Sequence, residues 1–229
     1  METAGPQPTV SWRDCISVPP EYALNDVALA PSGDIYATHM FARPESATDA
    51  QQLRTKFLAA AATGFALHWS VQRGWRRMPG TELSFANGIA VSGDGHWLAV
   101  AGTFDQAVLV VDLRRGDIRR VRVALQPDNI TPFGRSSFIV VGHTGVPVTG
   151  IDPCRNPQAR PCGFPFSAAR ISAPGGAVTP IYTDDGKATP GASVAVLDGR
   201  MLYLGSAFGD RVSVRALGSA SGRSGRVRR

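Results

Sequence analysis

Apolar and polar positions alternate along this chain in short bursts rather than in helical arcs, and four of the bursts can be laid over one another. They are "NDVALAPSGDIYATHMF" from Asn25, "NGIAVSGDGHWLAVAGT" from Asn87, "DNITPFGRSSFIVVGHT" from Asp128 and "ASVAVLDGRMLYLGSAF" from Ala192. Each reads as a short apolar strand, a turn around Gly33, Gly95, Gly134 or Gly199, and a second strand that ends in small residues such as Gly102, Gly142 and Gly205. A third strand follows in "QAVLVVDL" (106–113) and "DRVSVRAL" (210–217), and a fourth in "DIRRVRVAL" (117–125). Four-stranded units recurring at about forty residues or more predict the blades of a β-propeller.

The pattern is interrupted once, by "PESATDAQQLRTKFLAAAATG" (44–64). Here the spacing predicts a helix capped by Ser46 or Thr48, with Leu53, Phe57 and Ala60 or Ala61 on one face. It reads either as a lid over a site entrance or as a surface helix packing its apolar stripe on the propeller edge.

Composition agrees with an all-β chain built of four-stranded blades. With 229 residues, 43% of them hydrophobic, the chain can bury one sizeable core, and Gly and Pro are frequent enough to punctuate many short strands. The formal charge is +6, but four arginines sit in the final "RSGRVRR", so the folded body is only weakly basic. No cluster of Lys and Arg interleaved with aromatic residues marks a nucleic-acid surface. The expected organisation is a partial propeller over 1–217 and a basic, disordered tail over 218–229. No apolar run has the length of a membrane span, so neither membrane nor nucleic acid is an expected partner. The opening "METAGPQPTVSWRDC" lacks the features of a secretion signal; as written the chain reads as cytoplasmic, and a signal upstream would make it periplasmic or secreted. Cys154 and Cys162 bracket "RNPQARP", a spacing that either closes a disulfide in an oxidising compartment or holds two reduced thiols. Cys15 has no evident partner, and the absence of CxxC pairs argues against structural zinc.

Candidate chemistry comes from the strand starts. The first strand of every propeller blade lines the central channel, so Asn25, Asn87 and Asp128, at equivalent starts, are expected to converge at one mouth. Oxygen-bearing side chains around one axis suit a hard cation, and calcium accepts amide carbonyls with carboxylates in irregular geometry. Asn129 adjoins Asp128 and adds an amide oxygen, while the period of two in a strand turns Asp26 away from Asn25. The competing reading is that Asn and Asp here only cap turns.

The segments "LNDVALAPSGDIYATHMF", "FANGIAVSGDGHWLAVAG" and "PDNITPFGRSSFIVVGHT" resemble successive blades of the calcium-dependent six-bladed propellers that include regucalcin, gluconolactonase and serum paraoxonase. The resemblance covers most of residues 12–217 and is most specific at "FANGI". It implies that Asn25, Asn87 and Asp128 bind a catalytic calcium, that Asn129 contributes as in the paraoxonase-like branch, and that Asp26 holds a second, structural calcium. Members of the family begin with a blade carrying a Glu that completes the site. Glu2 and Glu21 lie in the wrong context to replace it, and four repeats fall about two short of a closed ring, so the chain is expected to be N-terminally shortened. With Asp128 as its one clear carboxylate, the site should bind calcium weakly.

A complete site of this kind polarises a lactone or ester carbonyl and needs a general base. His39, in "THMF", and His143, in "VVGHTG", are the candidates for that role, weighed against ordinary strand-end histidines; His68 and His96 receive none. No G-x-S-x-G elbow supports a serine nucleophile, and "GDG" (93–95) and "DDG" (184–186) are ordinary turns. The function expected is calcium-dependent hydrolysis of a small lactone or ester, impaired without the first blade. The alternative is a non-catalytic propeller serving as a binding or scaffold module.

Overall fold

Each of the four repeats folds as an antiparallel meander in the computed structural model, which describes residues 11–12, 14–145, 163–207 and 209–218. The proposed Cys154–Cys162 pairing and the tail from 219 lie outside these residues. Blade 1 comprises β1 (Leu24–Leu29), β2 (Ile35–His39), β3 (Phe65–Ser70) and β4 (Gly74–Arg77), with helix α1 (Ala47–Leu58) inserted after β2. Blade 2 runs through β5 (Ala86–Val91), β6 (Trp97–Gly102), β7 (Ala107–Asp112) and β8 (Ile118–Arg122). Blade 3 consists of β9 (Gln126–Phe133), β10 (Ser137–His143), β11 (Phe166–Ser172) and β12 (Ala177–Asp184). The fourth sheet has β13 (Val194–Asp198), β14 (Met201–Gly205) and β15 (Ser213–Ala216) among the described residues. Strand order within each sheet follows the chain, as expected for propeller blades.

The core lies between blades, in three layers. Tyr36 and Ala66 of blade 1 pack on Ile89, Leu98, Val100 and Leu109 of blade 2. On the other side of blade 2, Ala99, Val108 and Val110 meet Ile130, Phe138 and Val140 of blade 3. Ile139, Val141 and Phe166 then meet Ala195, Leu202 and Leu204 of blade 4. This explains why β5, β6 and β7 read as nearly continuous apolar runs: blade 2 is covered on both faces. β1 instead alternates, because only one face meets blade 2; on the other, Val27 is 63% and Leu29 71% exposed. At the far end of the arc Val196, Tyr203 and Val214 stand directly opposite one another and are likewise exposed.

Helix α1 starts as expected, with the Ser46 hydroxyl accepting from Asp49 N at 3.1 Å. It stops sooner than the stripe suggested. Ala59 closes it and Ala60 takes φ 48°, so Ala60 and Ala61 lie beyond the helical face. No residue of α1 is fully buried.

Blades 2 and 3 approach closely at Gly88. A Cβ there would lie 2.5 Å from Asn129 Cα, 2.6 Å from Asp128 O and 2.7 Å from Ile130 N, all backbone atoms that have no rotamer to escape into. Gly88→Ala is therefore expected to destabilise the fold by about 1–3 kcal/mol. Urea unfolding checks this: the midpoint should fall, and an unchanged midpoint would contradict the close approach.

Candidate functional site

The three polar pairs at the strand starts share one backbone irregularity. Pairing passes from Leu24↔His39 to Val27↔Ala37 in blade 1, from Ala86↔Gly102 to Ile89↔Val100 in blade 2, and from Pro127↔Gly142 to Ile130↔Val140 in blade 3. Two residues on the inner strand thus face one on its neighbour, and those two are Asn25–Asp26, Asn87–Gly88 and Asp128–Asn129. Such β-bulges re-aim side chains next to a ligand site or an edge. β13 pairs with β14 without a bulge and carries no such pair.

Asp26 lies on the opposite side of β1 from Asn25, as the period of two predicts, with Asn25 exposed and Asp26 half-buried. The second member of each pair turns to the next blade. Asp26 Oδ2 accepts from Ile89 N at 2.9 Å across the blade boundary, while its Oδ1 accepts from Val27 N at 2.8 Å. The Asn129 amide nitrogen donates to Ser193 O at 3.0 Å, and Gly88 has no side chain because the β9 backbone fills its place. First members differ more. Asn87 is 6% exposed and donates from Nδ2 to Thr103 Oγ1 at 3.1 Å. Asn87 also hydrogen-bonds the Asp128 carboxylate, and Asp26 is near enough for its charge to act on Asp128. Asn25 is exposed on the uncovered side of blade 1, with its amide nitrogen 2.9 Å from Met40 Sδ. The structure therefore brings together Asn87, Asp128, Asn129 and Asp26, with Asn25 beside Met40 instead.

Burial pushes the Asp128 carboxyl up to about 6; the Asn87 hydrogen bond opposes this and the Asp26 charge adds to it. Among the described residues no three His, Cys, Asp or Glu side chains cluster as a metal site. The gathered donors are two carboxylates and neighbouring amides, all oxygen ligands of the kind hard cations take. Below them runs a cavity of about 420 Å³ lined by all four inner strands, with Leu29, Ile89, Val91 and Ile130 on its walls and Asp26 and Asn129 at the strand starts.

His39 is 5% exposed and packs against Tyr22 and Phe65, and its Nδ1 accepts from Ala23 N at 2.9 Å. Burial, with a smaller push from Arg77, lowers its pKa. His143 Nε2 lies 3.4 Å from Gly191 O, and burial lowers its pKa too. Helix α1 reaches this end of the blades through Phe57, whose ring packs on Phe41, Phe85 and Phe104 at 5.7, 5.5 and 4.8 Å. That contact places the helix beside the bulge cluster without burying any of its residues, combining features of the lid and the surface-helix readings.

Three residues that the motif reading did not single out organise the cluster. Thr38 accepts from Asp26 N at 3.2 Å and donates to Asn87 O at 2.6 Å. Thr103 donates to Pro127 O at 2.8 Å. Ser193 receives Asn129. The signal available for Thr103 is positional: it follows the second-strand residue that pairs with the one just before the bulge, as Met40 and His143 do in their own blades.

No protein-family model matches the chain, and no curated protein matches its sequence. Solved structures do. Hydrazine synthase from Kuenenia stuttgartiensis aligns with a TM-score of 0.51 at 14% identity, over 85% of this chain and 45% of its own. A luciferin-regenerating enzyme aligns with a TM-score of 0.50 at 16% identity, over 79% and 52%. The WD40 repeats of RRP9 align with a TM-score of 0.50 at 12% identity, over 84% and 45%. The fold is that of a β-propeller, with about four blades present. At these identities the likeness is one of fold, and the chain spans about half the length of the structures it matches.

The raised Asp128 carboxyl makes the pH dependence of stability specific. Its folded pKa of about 6 lies above the ordinary aspartate value of 3.8, so the folded state holds the proton more tightly. Ionisation then costs stability as pH rises from about 4 to about 6, by up to about 3 kcal/mol. In chelator, wild-type stability minus that of Asp128→Asn should fall across this window. Parallel pH profiles for the two proteins would contradict the assignment.

Proposed function

We propose that the bulge cluster holds a calcium ion and that the chain acts as a calcium-dependent hydrolase of a small lactone or ester. The observation that carries this reading is the Asp128 carboxylate, buried beside the charge of Asp26 with an amide as its hydrogen-bond donor. A divalent cation would relieve both the desolvation and the repulsion. The donor set fits: Asp128 and Asn87 face one another, Asn129 adjoins, and Asp26 retains lone pairs beyond the two that accept backbone N–H groups. Asp26 thus raises the carboxylates of the cluster to two, against the one expected from the motifs. The likeness of the three bulge sequences to calcium-dependent six-bladed propellers supports the same assignment.

When bound, the ion supplies electrophilic pull on a carbonyl and stabilisation of the oxyanion. The chain's residues do the rest. Asp128 and Asn87 fix where the carbonyl sits, and the apolar residues of the cavity give the remainder of the substrate a surface to pack on. Both histidines are held neutral by burial. His39 spends its acceptor nitrogen on Ala23 N, which leaves its other nitrogen protonated and makes it a positioning element of blade 1. His143, the other strand-end histidine, lies with Nε2 3.4 Å from Gly191 O and is the residue to which this reading gives the proton-accepting role.

Isothermal titration with calcium, paired with hydrolysis of phenyl acetate and of a small lactone, tests the proposal. Wild-type protein should give a binding isotherm; Asp128→Asn and Asn87→Ala should each weaken it by about tenfold or more. Turnover should disappear in chelator. Calcium binding without turnover would point to the non-catalytic binding module, and no calcium heat would remove the reading altogether.

A further inference from the structure

Thr103 occupies a junction between two blades and the bulge cluster. It lies just past the end of β6, and its single hydroxyl makes two hydrogen bonds of fixed sense. The proton goes to Pro127 O at 2.8 Å, on the inner strand of the next blade and one residue before Asp128. A hydroxyl has one proton, so towards Asn87 the Thr103 oxygen can only accept. It accepts from Asn87 Nδ2 at 3.1 Å. The Asn87 amide is thereby obliged to present its NH₂ group to Thr103. The same side chain hydrogen-bonds Asp128, which places one amide between a blade 2 hydroxyl and a blade 3 carboxylate.

The counterpart positions behave differently. Met40 can accept from Asn25 but has no proton to pass on. His143 turns to Gly191 O, and Ser206 to Pro190 O and Gly191 O.

We propose that Thr103 is a positioning residue for the cation cluster: with Asp128 it occupies the NH₂ end of the Asn87 amide, which leaves Oδ1 as the end offered to a cation, and by giving its own proton to Pro127 O it locks that amide to the β9 backbone carrying Asp128. The inference rests on the calcium reading of the same site, but the hydrogen-bond lock exists without the ion and can be read separately.

The experiment compares wild type, Thr103→Val, which keeps shape and loses both hydrogen bonds, and Thr103→Ser, which restores them. Calcium titration is expected to show Thr103→Val weakened about tenfold and Thr103→Ser close to wild type. The Asn87 side-chain NH₂ protons, followed by NMR in chelator, are expected as two distinct, slowly exchanging signals in wild type and Ser, and as fast-exchanging signals in Val. Equal calcium affinity in all three proteins would overturn the positioning role and leave the calcium reading standing. If wild type gives no calcium heat, the calcium reading fails and the NH₂ signals decide on Thr103: signals unchanged by Val overturn it, and their selective loss upholds the lock. Should the Val variant not fold, Thr103→Ala takes its place: fast exchange of the Asn87 NH₂ in Ala with slow exchange in wild type and Ser would uphold the proposal, and equal exchange in all three would overturn it.

Discussion

Hydrogen bonds handed from one blade to the next at the starts of the inner strands set the architecture of this protein. Apolar layers between blades supply most of the burial, but they are non-directional and would tolerate some sliding. The contacts of Asp26 with Ile89 N, Thr38 with Asn87 O, Thr103 with Pro127 O and Asn129 with Ser193 O fix the register of four sheets about one axis. Each is made by a side chain at or beside a bulge, where the backbone has left the regular ladder and its groups need other partners.

The same constraint shapes the candidate site. A bulge spends one member of each polar pair on holding the neighbouring blade and leaves the other for the cluster. In blade 2 the structural member is Gly88, where the approaching backbone itself occupies the space of a side chain. In blade 1 the order is reversed in effect: Asp26 contributes charge to the cluster while Asn25 stays with Met40 on the uncovered face. Blade 1 is the first described blade, with no sheet packed against Val27 and Leu29, and its first bulge residue shares that exposure.

Much of this was legible in the sequence. The four-fold alternation and the turn glycines marked the blades, and the polar strand starts marked Asn87 and Asp128, which the structure brings together; Asn25 was expected with them and lies beside Met40. The helical interruption was legible through Ser46 and Phe57. Three features were not. The bulges are invisible to a period-two reading, which turned Asp26 away from Asn25 but did not show that its carboxylate would reach the backbone of the next blade. The relation of His39 to Ala23 N depends on the register of the β1–β2 pair, in which Leu24 stands opposite His39, and no local pattern encodes it. Thr103 was hidden because a Thr after a Gly at a strand end is unremarkable until the next blade is placed against it.

What unites fold and proposed chemistry is a carboxylate held where its charge is costly. Asp128 is kept there by β9, faced by Asn87 and disfavoured by Asp26, an arrangement that either a proton or a bound cation relieves. The most direct measurement is the titration of the Asp128 carboxyl carbon by NMR, in chelator and in saturating calcium. The account predicts a midpoint near pH 6 without the ion and a large downward shift with it. A midpoint in the ordinary carboxylate range without calcium, or one that calcium does not move, would contradict it.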